Sequence, residues 1–172
     1  ATMLERITSS SNPDLFVMSY SKDYQVTDLI LIPKFFFVES IIEKRKPLAP
    51  TARRAGWVGC NIVFGDVPTQ GRIRIIENQK VYDTKEIVEN YAQIKRLQTN
   101  NLESREWLMD VLNCVNEINT SDFSLQDIYA FVEQLQKKHI NNHNVEAKIR
   151  QQLQILRDKG FLEFTTRGHY RK

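Results

Sequence analysis

The amino-acid sequence predicts a mixed α+β chain in two parts, residues 1–98 carrying a sheet and residues 99–172 built mostly of helices. Three observations predict it. Short apolar runs rich in β-formers dominate before residue 100, and apolar stripes at helical spacing dominate after it. A polar break, Thr99-Asn100-Asn101, separates the two textures. The final stretch alternates again around a turn at Thr166-Arg167-Gly168. Composition agrees with ordinary folding: 41% hydrophobic, 26% charged and 10% aromatic over 172 residues, which excludes collagen-like, low-complexity and disordered classes.

The chain opens Ala1-Thr2-Met3, with no charged segment leading into an apolar one, so no signal peptide is read. Met3, Leu4 and Ile7 fall at i, i+1 and i+4 and predict the tail of a helix begun upstream, so the chain is expected to be part of a longer protein. Leu15-Phe-Val-Met-Ser-Tyr20 is a first strand. Val26–Ile32 is a second, and its four consecutive aliphatics Leu29, Ile30, Leu31 and Ile32 suit a strand buried on both faces. Pro33 then ends the pairing. Residues 73–76 and 80–82 flank Glu77-Asn78-Gln79 as a hairpin. Asp83, with Glu86 three residues on, starts a helix whose apolar side is Ile87, Val88, Tyr91, Ile94 and Leu97.

In the second part a helix is expected over 105–118, with Trp107, Leu108, Val111, Leu112, Val115 and Ile118 on one broad stripe. Asn119-Thr120-Ser121-Asp122 is a polar break, and Ser124 with Asp127 caps a second helix, whose stripe is Ile128, Phe131, Val132 and Leu135. Asn144 caps a third helix over 145–159, which buries Val145, Ile149, Leu153 and Leu156 and stops at Gly160. A strand at 161–165 and a return strand at His169-Tyr170-Arg171 complete the chain.

Three helices followed by a two-stranded ribbon is the order of a winged-helix DNA-binding domain, whose third helix enters the major groove. With the apolar stripe of helix three inside, Ala147, Arg150, Gln151 and Gln154 point outward, and Gln152 falls near the buried side. Arg and Gln make bidentate contacts to guanine and adenine edges. Arg157, Arg167, Arg171 and Lys172 suit phosphates. Charge patterning agrees: the net charge is only +3, but five cations and no acid lie between Lys44 and Arg54, and seven cations face three acids from Val145 to Lys172. Two basic patches fit a polyanion touched in two places, or two solvated surfaces.

Motifs of other chemistries are missing. No apolar run reaches the roughly 18 residues of a membrane span. Cys60 and Cys114 are too few for a disulfide framework or a structural zinc site and read as small core residues in a reducing, intracellular setting. His139 and His143 are spaced for two metal ligands, but they straddle a helix end and an Asn-rich loop with no third ligand nearby, which favours a structural or exposed role. No Gly-rich phosphate loop or nucleophile elbow occurs. A metal-dependent nuclease needs paired carboxylates and a lysine. Asp83-Thr84-Lys85 opens a helix and Glu146-Ala147-Lys148 lies in a first helical turn, so neither follows a strand bearing a second acid.

The segment Arg45-Lys-Pro-Leu-Ala-Pro-Thr-Ala-Arg-Arg-Ala-Gly-Trp-Val-Gly-Cys-Asn-Ile62 is the most unusual. Its prolines stiffen the chain, and Gly56 and Gly59 permit a turn or a close approach. Trp57 beside Arg53 and Arg54 can stack on a base or line an apolar pocket for a methyl group; alternatively it packs under its own loop.

This segment resembles the corresponding stretch of the DpnI or Dam-replacing family of methyl-directed type II restriction endonucleases. Two further stretches, Lys148-Ile-Arg-Gln-Gln-Leu-Gln-Ile-Leu-Arg-Asp-Lys159 and Arg167-Gly-His-Tyr-Arg-Lys172, resemble the family's last helix and its ending, and the likeness runs the whole chain. The resemblance implies a partial restriction-endonuclease-like α/β domain over 1–98 and a winged helix over 99–172. It implies that both parts recognise duplex GATC methylated on the adenine 6-amino group. It places Lys46, Arg53, Arg54 and Trp57 on DNA in the first part, with Trp57 at the methyl groups. In the second part it places Lys148, Arg150, Gln151, Gln154, Arg157, Arg167, His169, Tyr170 and Arg171 there. The intact family enzyme is a bacterial, cytoplasmic hydrolase that uses Mg²⁺. Its Asp…Glu-x-Lys motif and four-cysteine zinc site would precede Ala1, so the missing N-terminal segment is itself a partner and this chain alone binds without cutting. The alternatives are a non-enzymatic winged-helix DNA-binding regulator and a winged helix that binds protein.

Overall fold

The structure, a computed structural model, describes residues 3–9, 11–99 and 101–172. Of the helix expected at the start, Ala1 and Thr2 lie outside the described residues, and Met3–Thr8 forms α1. Asn100 of the polar break also lies outside them.

The first part is built on an antiparallel sheet. Strand β1 (Leu15–Tyr20) pairs with β2 (Val26–Ile32) from Leu15↔Ile32 to Ser19↔Asp28. A two-stranded ribbon, β3 (Ile42–Lys44) with β4 (Cys60–Ile62), stands apart as its own sheet. Then β5 (Ile73–Glu77) joins the far side of β2, and β6 (Lys80–Val81) completes the order β1-β2-β5-β6. The β5–β6 turn uses two residues, Asn78 and Gln79, both at positive φ (49° and 66°), the conformation whose twist matches a hairpin.

The expectation that β2 is buried on both faces does not hold. Leu31 and Ile32 are buried, but Leu29 and Ile30 are only half-buried. Leu29 lies opposite the exposed Met18 of the neighbouring edge strand, and Ile30 opposite Val17, itself only half-buried. The core instead gathers under the run after Pro33. Two 3₁₀ turns, Lys34–Phe36 and Glu39–Ile41, fold Phe35, Phe36, Phe37, Val38 and Ile41 inward. Phe36 lies so close to Gly71 that a Cβ there would meet its ring at 2.8 Å. Helix α2 (Thr84–Lys95) starts at Asp83, whose carboxylate accepts from the Lys85 and Glu86 backbone N–H groups. Ile94 of α2 and Leu97 just beyond it are buried, whereas Val88 faces solvent.

Helix α3 (Leu102–Glu117) begins three residues before the expected start, because Asn101 caps it by accepting from Ser104 N–H at 2.8 Å. Strand β7 (Asp122–Ser124) occupies part of what reads as a polar break. The expected second helix is two: α4 (Leu125–Tyr129) and α5 (Val132–Lys138). The chain leaves helical geometry at Phe131 (φ −91°, ψ 3°), and the Phe131 N–H bonds to Ile128 C=O in a tighter turn. Helix α6 (Val145–Asp158) ends as its glycine predicts. Gly160 has φ +79°, its N–H bonds Arg157 C=O, and Phe161 N–H bonds Leu156 C=O, the paired bonds of a Schellman stop. Strands β8 (Glu163–Thr166) and β9 (His169–Arg171) follow, and β9 sits between β7 and β8. Tyr170 at the centre of this sheet stacks on Phe123 and meets Phe164 edge-on.

Candidate nucleic-acid interface

The side chains of α6 divide as the stripe requires. Val145, Ile149, Leu153 and Leu156 are buried, and burying each stabilises the fold by about 1.5–3 kcal/mol. Gln152 is buried with them, only 1% exposed, and its Oε1 has no hydrogen-bond partner. On the opposite side Arg150, Gln151, Gln154 and Arg157 are exposed together. The wing adds Arg167 and His169, both exposed, at a turn that Gly168 makes possible with φ +77°.

Three residues expected on this surface are placed differently. Lys148 is turned toward α3, with Nζ 4.0 Å from Glu103 and 6.0 Å from the Trp107 ring centroid. Tyr170 is buried in the wing sheet, and burial pushes its phenol up, so it stays neutral. Arg171 is occupied by its cross-strand neighbours, with Nε 2.9 Å from Asp122 and Nη1 3.7 Å from Glu163. Arg157 shares its guanidinium with Asp158 at 2.8 Å on the helix surface.

The second basic patch is an arm. Beyond β3 and β4 the pairing continues irregularly, with Arg45 N–H to Gly59 C=O, Leu48 N–H to Trp57 C=O and Gly56 N–H to Leu48 C=O. Residues between Ala49 and Trp57 curl through successive turns at the tip, and Gly56 takes φ +78°. Lys44, Arg45, Lys46, Arg53 and Arg54 are all exposed, and among the described residues none of them forms a salt bridge. Trp57 is 52% exposed, not packed beneath the loop. An uncompensated cluster of cations around an open aromatic ring suits a phosphate backbone with a base or methyl group beside it.

The profile of the Dam-replacing family, DpnI, matches residues 1–100, and that of the Dam-replacing HTH domain matches residues 103–172. The chain belongs to the Dam-replacing family. The two matches point to a DNA-binding restriction enzyme whose HTH domain is the second part of the chain. No helix among the described residues is long and apolar enough to cross a membrane.

The family suggests a nuclease, and the described residues that could serve as metal donors are engaged elsewhere or stand apart. Among the described residues no group of three or more His, Cys, Asp or Glu converges on a metal position. Asp83 caps α2, and Glu146 lies 3.7 Å from Arg150 in the first turn of α6. Cys114 is buried, which pushes its thiol up to about 12, and Cys60 is half-buried on β4. His139 is structural: its ring stacks on Trp107 at 3.8 Å and its Nε2 lies 2.9 Å from Asp110 Oδ2, while His143 is exposed.

Arg45 belongs to the arm's cation set, as its place in the 44–54 charge run already signals. One neighbour of the α6 face escapes the sequence. Tyr129, at the end of α4, reaches the α6 face, where its hydroxyl accepts from Arg150 Nη1 at 2.6 Å. Nothing in the sequence links residues 129 and 150.

Proposed function

We propose that this chain is the DNA-recognition portion of a type II restriction endonuclease directed to duplex GATC methylated on the adenine 6-amino group. The observation that carries the reading is the joint exposure of Arg150, Gln151, Gln154 and Arg157 on α6 beside the wing, in a chain of the Dam-replacing family. Arginine and glutamine there match guanine and adenine edges in the major groove. Lys46, Arg53 and Arg54 hold phosphates from the arm, Trp57 meets the methyl groups, and Arg167 and His169 contact backbone from the wing. Lys148, Tyr170 and Arg171 support the surface from behind.

Burying one methyl carbon is worth only about 0.8 kcal/mol. Strong methyl dependence therefore needs more than attraction: without the methyl, a gap against the Trp57 ring must remain unfilled. The intact enzyme is a Mg²⁺-dependent hydrolase of the bacterial cytoplasm. Binding without cleavage is the activity we assign to this chain by itself.

The test is titration of the full chain with a GATC duplex, methylated and unmethylated, over a range of salt. Tighter binding of the methylated duplex is expected, with log affinity falling by about 0.9 per log salt for each phosphate neutralised. Equal affinity for the two duplexes removes the methyl reading. Binding that ignores salt removes DNA as the partner.

A further inference from the structure

Arg150 is not free to sample solvent as an exposed arginine ordinarily does. Its Nη1 donates to the Tyr129 hydroxyl at 2.6 Å and lies 3.7 Å from Glu146 one helical turn back. The Tyr129 ring is half-buried against the core, so the hydroxyl is a fixed post. The guanidinium is thereby held by one corner. Its Nε and Nη2 make no hydrogen bond to any described residue, so two parallel N–H donors remain on the open edge. Such an edge matches the O6 and N7 acceptors of guanine, and equally two phosphate oxygens. Glu146 separates these ligands. A carboxylate beside the fork repels a phosphate, whereas the guanine edge carries no net charge.

We propose that Tyr129 is a positioning residue that locks Arg150 as the reader of one guanine in the major groove. The inference rests on the DNA reading of α6 given above and names what reads one base within it. Anchoring reduces the rotamer freedom that an arginine otherwise loses on binding, so the hydroxyl acts on affinity without touching DNA. It also acts on specificity, because a misplaced fork bonds a wrong base or a phosphate as readily as the right guanine.

The experiment uses the full chain with the wild-type sequence, Tyr129→Phe, Arg150→Ala and the double variant. Each is titrated against methylated GATC duplex and a panel in which each base pair is replaced in turn. Wild type should discriminate one G·C pair by about 10-fold or more. Arg150→Ala should lose that discrimination, Tyr129→Phe should lose most of it, and the double variant should lose no more than Arg150→Ala alone. Arg150→Lys, with no fork, should not restore it. Thermal melting shows whether Tyr129→Phe is folded. Full discrimination in a folded Tyr129→Phe overturns the proposal. So does an Arg150→Ala that weakens all duplexes equally and lowers the salt slope by about one, the mark of a phosphate contact. Absence of salt-dependent binding by the wild-type chain overturns the DNA reading itself, a different failure from either of these.

Discussion

Gly59 decides how the arm presents its aromatic ring. A Cβ at this position would stand 2.9 Å from Cη2 and Cζ3 of Trp57, so only glycine lets the indole fold back on the strand while half its surface stays open. Gly59→Ala should push the ring off the backbone. Trp57 emission should shift against the constant signal of buried Trp107, and preference for methylated duplex should fall. Melting should change by less than about 3 °C, since the site is on the surface. Unchanged emission and unchanged preference would show that the glycine does not hold the ring. Gln152 poses the opposite problem, a polar atom where the helix has no use for one. An unpaired buried carbonyl costs about 1–3 kcal/mol. Gln152→Met, similar in shape, should raise stability by about 1 kcal/mol, read as a higher urea midpoint at unchanged slope. A lowered midpoint would mean that the amide is paired. The inward position of Gln152 was legible from helical spacing, as was the outward set Arg150, Gln151 and Gln154. The exposure of Trp57 was not, because a tryptophan between glycines and arginines is compatible with packing under the loop or standing clear of it.

At the scale of elements, α5 is tied to α3 by one carboxylate. Asp110, 7% exposed, accepts from Lys138 Nζ at 2.8 Å and lies 2.9 Å from His139 Nε2. Burial alone would raise its pKa, but the hydrogen bonds from His139 and Lys138, with the nearby charge, outweigh it and leave the carboxyl below its ordinary range. A folded value below the unfolded one stabilises the protein above the unfolded value, ~3.9, and that contribution disappears as pH falls through the folded value. Glu106 nearby behaves oppositely, since burial raises it. Asp110→Asn should cost about 1–3 kcal/mol near neutral pH. Its melting temperature should also fall less steeply than wild type between roughly pH 5 and pH 2. Parallel curves would show that Asp110 contributes no pH-dependent stability. Most elements were legible from caps and periodicity: Asp83, Ser124, Asn144 and Gly160 all mark ends that the structure keeps. Strand β7 was not, because three residues at the end of a polar break are too few to show a period and become a strand only when β9 returns beside them. The split of α4 from α5 was equally hidden, since Ile128, Phe131, Val132 and Leu135 satisfy one continuous stripe.

On the scale of the whole molecule, α3 belongs to both parts. Trp107, Leu108, Met109, Asp110, Val111, Leu112, Cys114 and Val115 are all buried, so the helix is enclosed on every side, where its sequence predicts one apolar stripe. It packs on α6 on one side and on the Lys34–Phe36 turn on another. Polar clasps reinforce the junction. Gln70 and Asn116 exchange both amide hydrogen bonds at 2.9 and 3.0 Å, and Asn113 donates to Asp66 C=O at 2.8 Å. The two parts should therefore unfold together, as one calorimetric transition with equal calorimetric and van't Hoff enthalpies. Two resolved transitions would show that the α3 contacts are too weak to couple them.

The sequence by itself determined the two-part α+β order, the helix caps, the inward and outward sides of α6 and the family, because these rest on local periodicity and on residue types met in succession. Only the tertiary structure decided that Trp57 stands open, that Lys148 and Arg171 are occupied by Glu103 and by Asp122 with Glu163, and that Tyr129 holds Arg150. Each of these joins positions that are adjacent in space and distant along the chain, or depends on how far a loop folds back. No pattern of neighbouring residues encodes a distance of that kind.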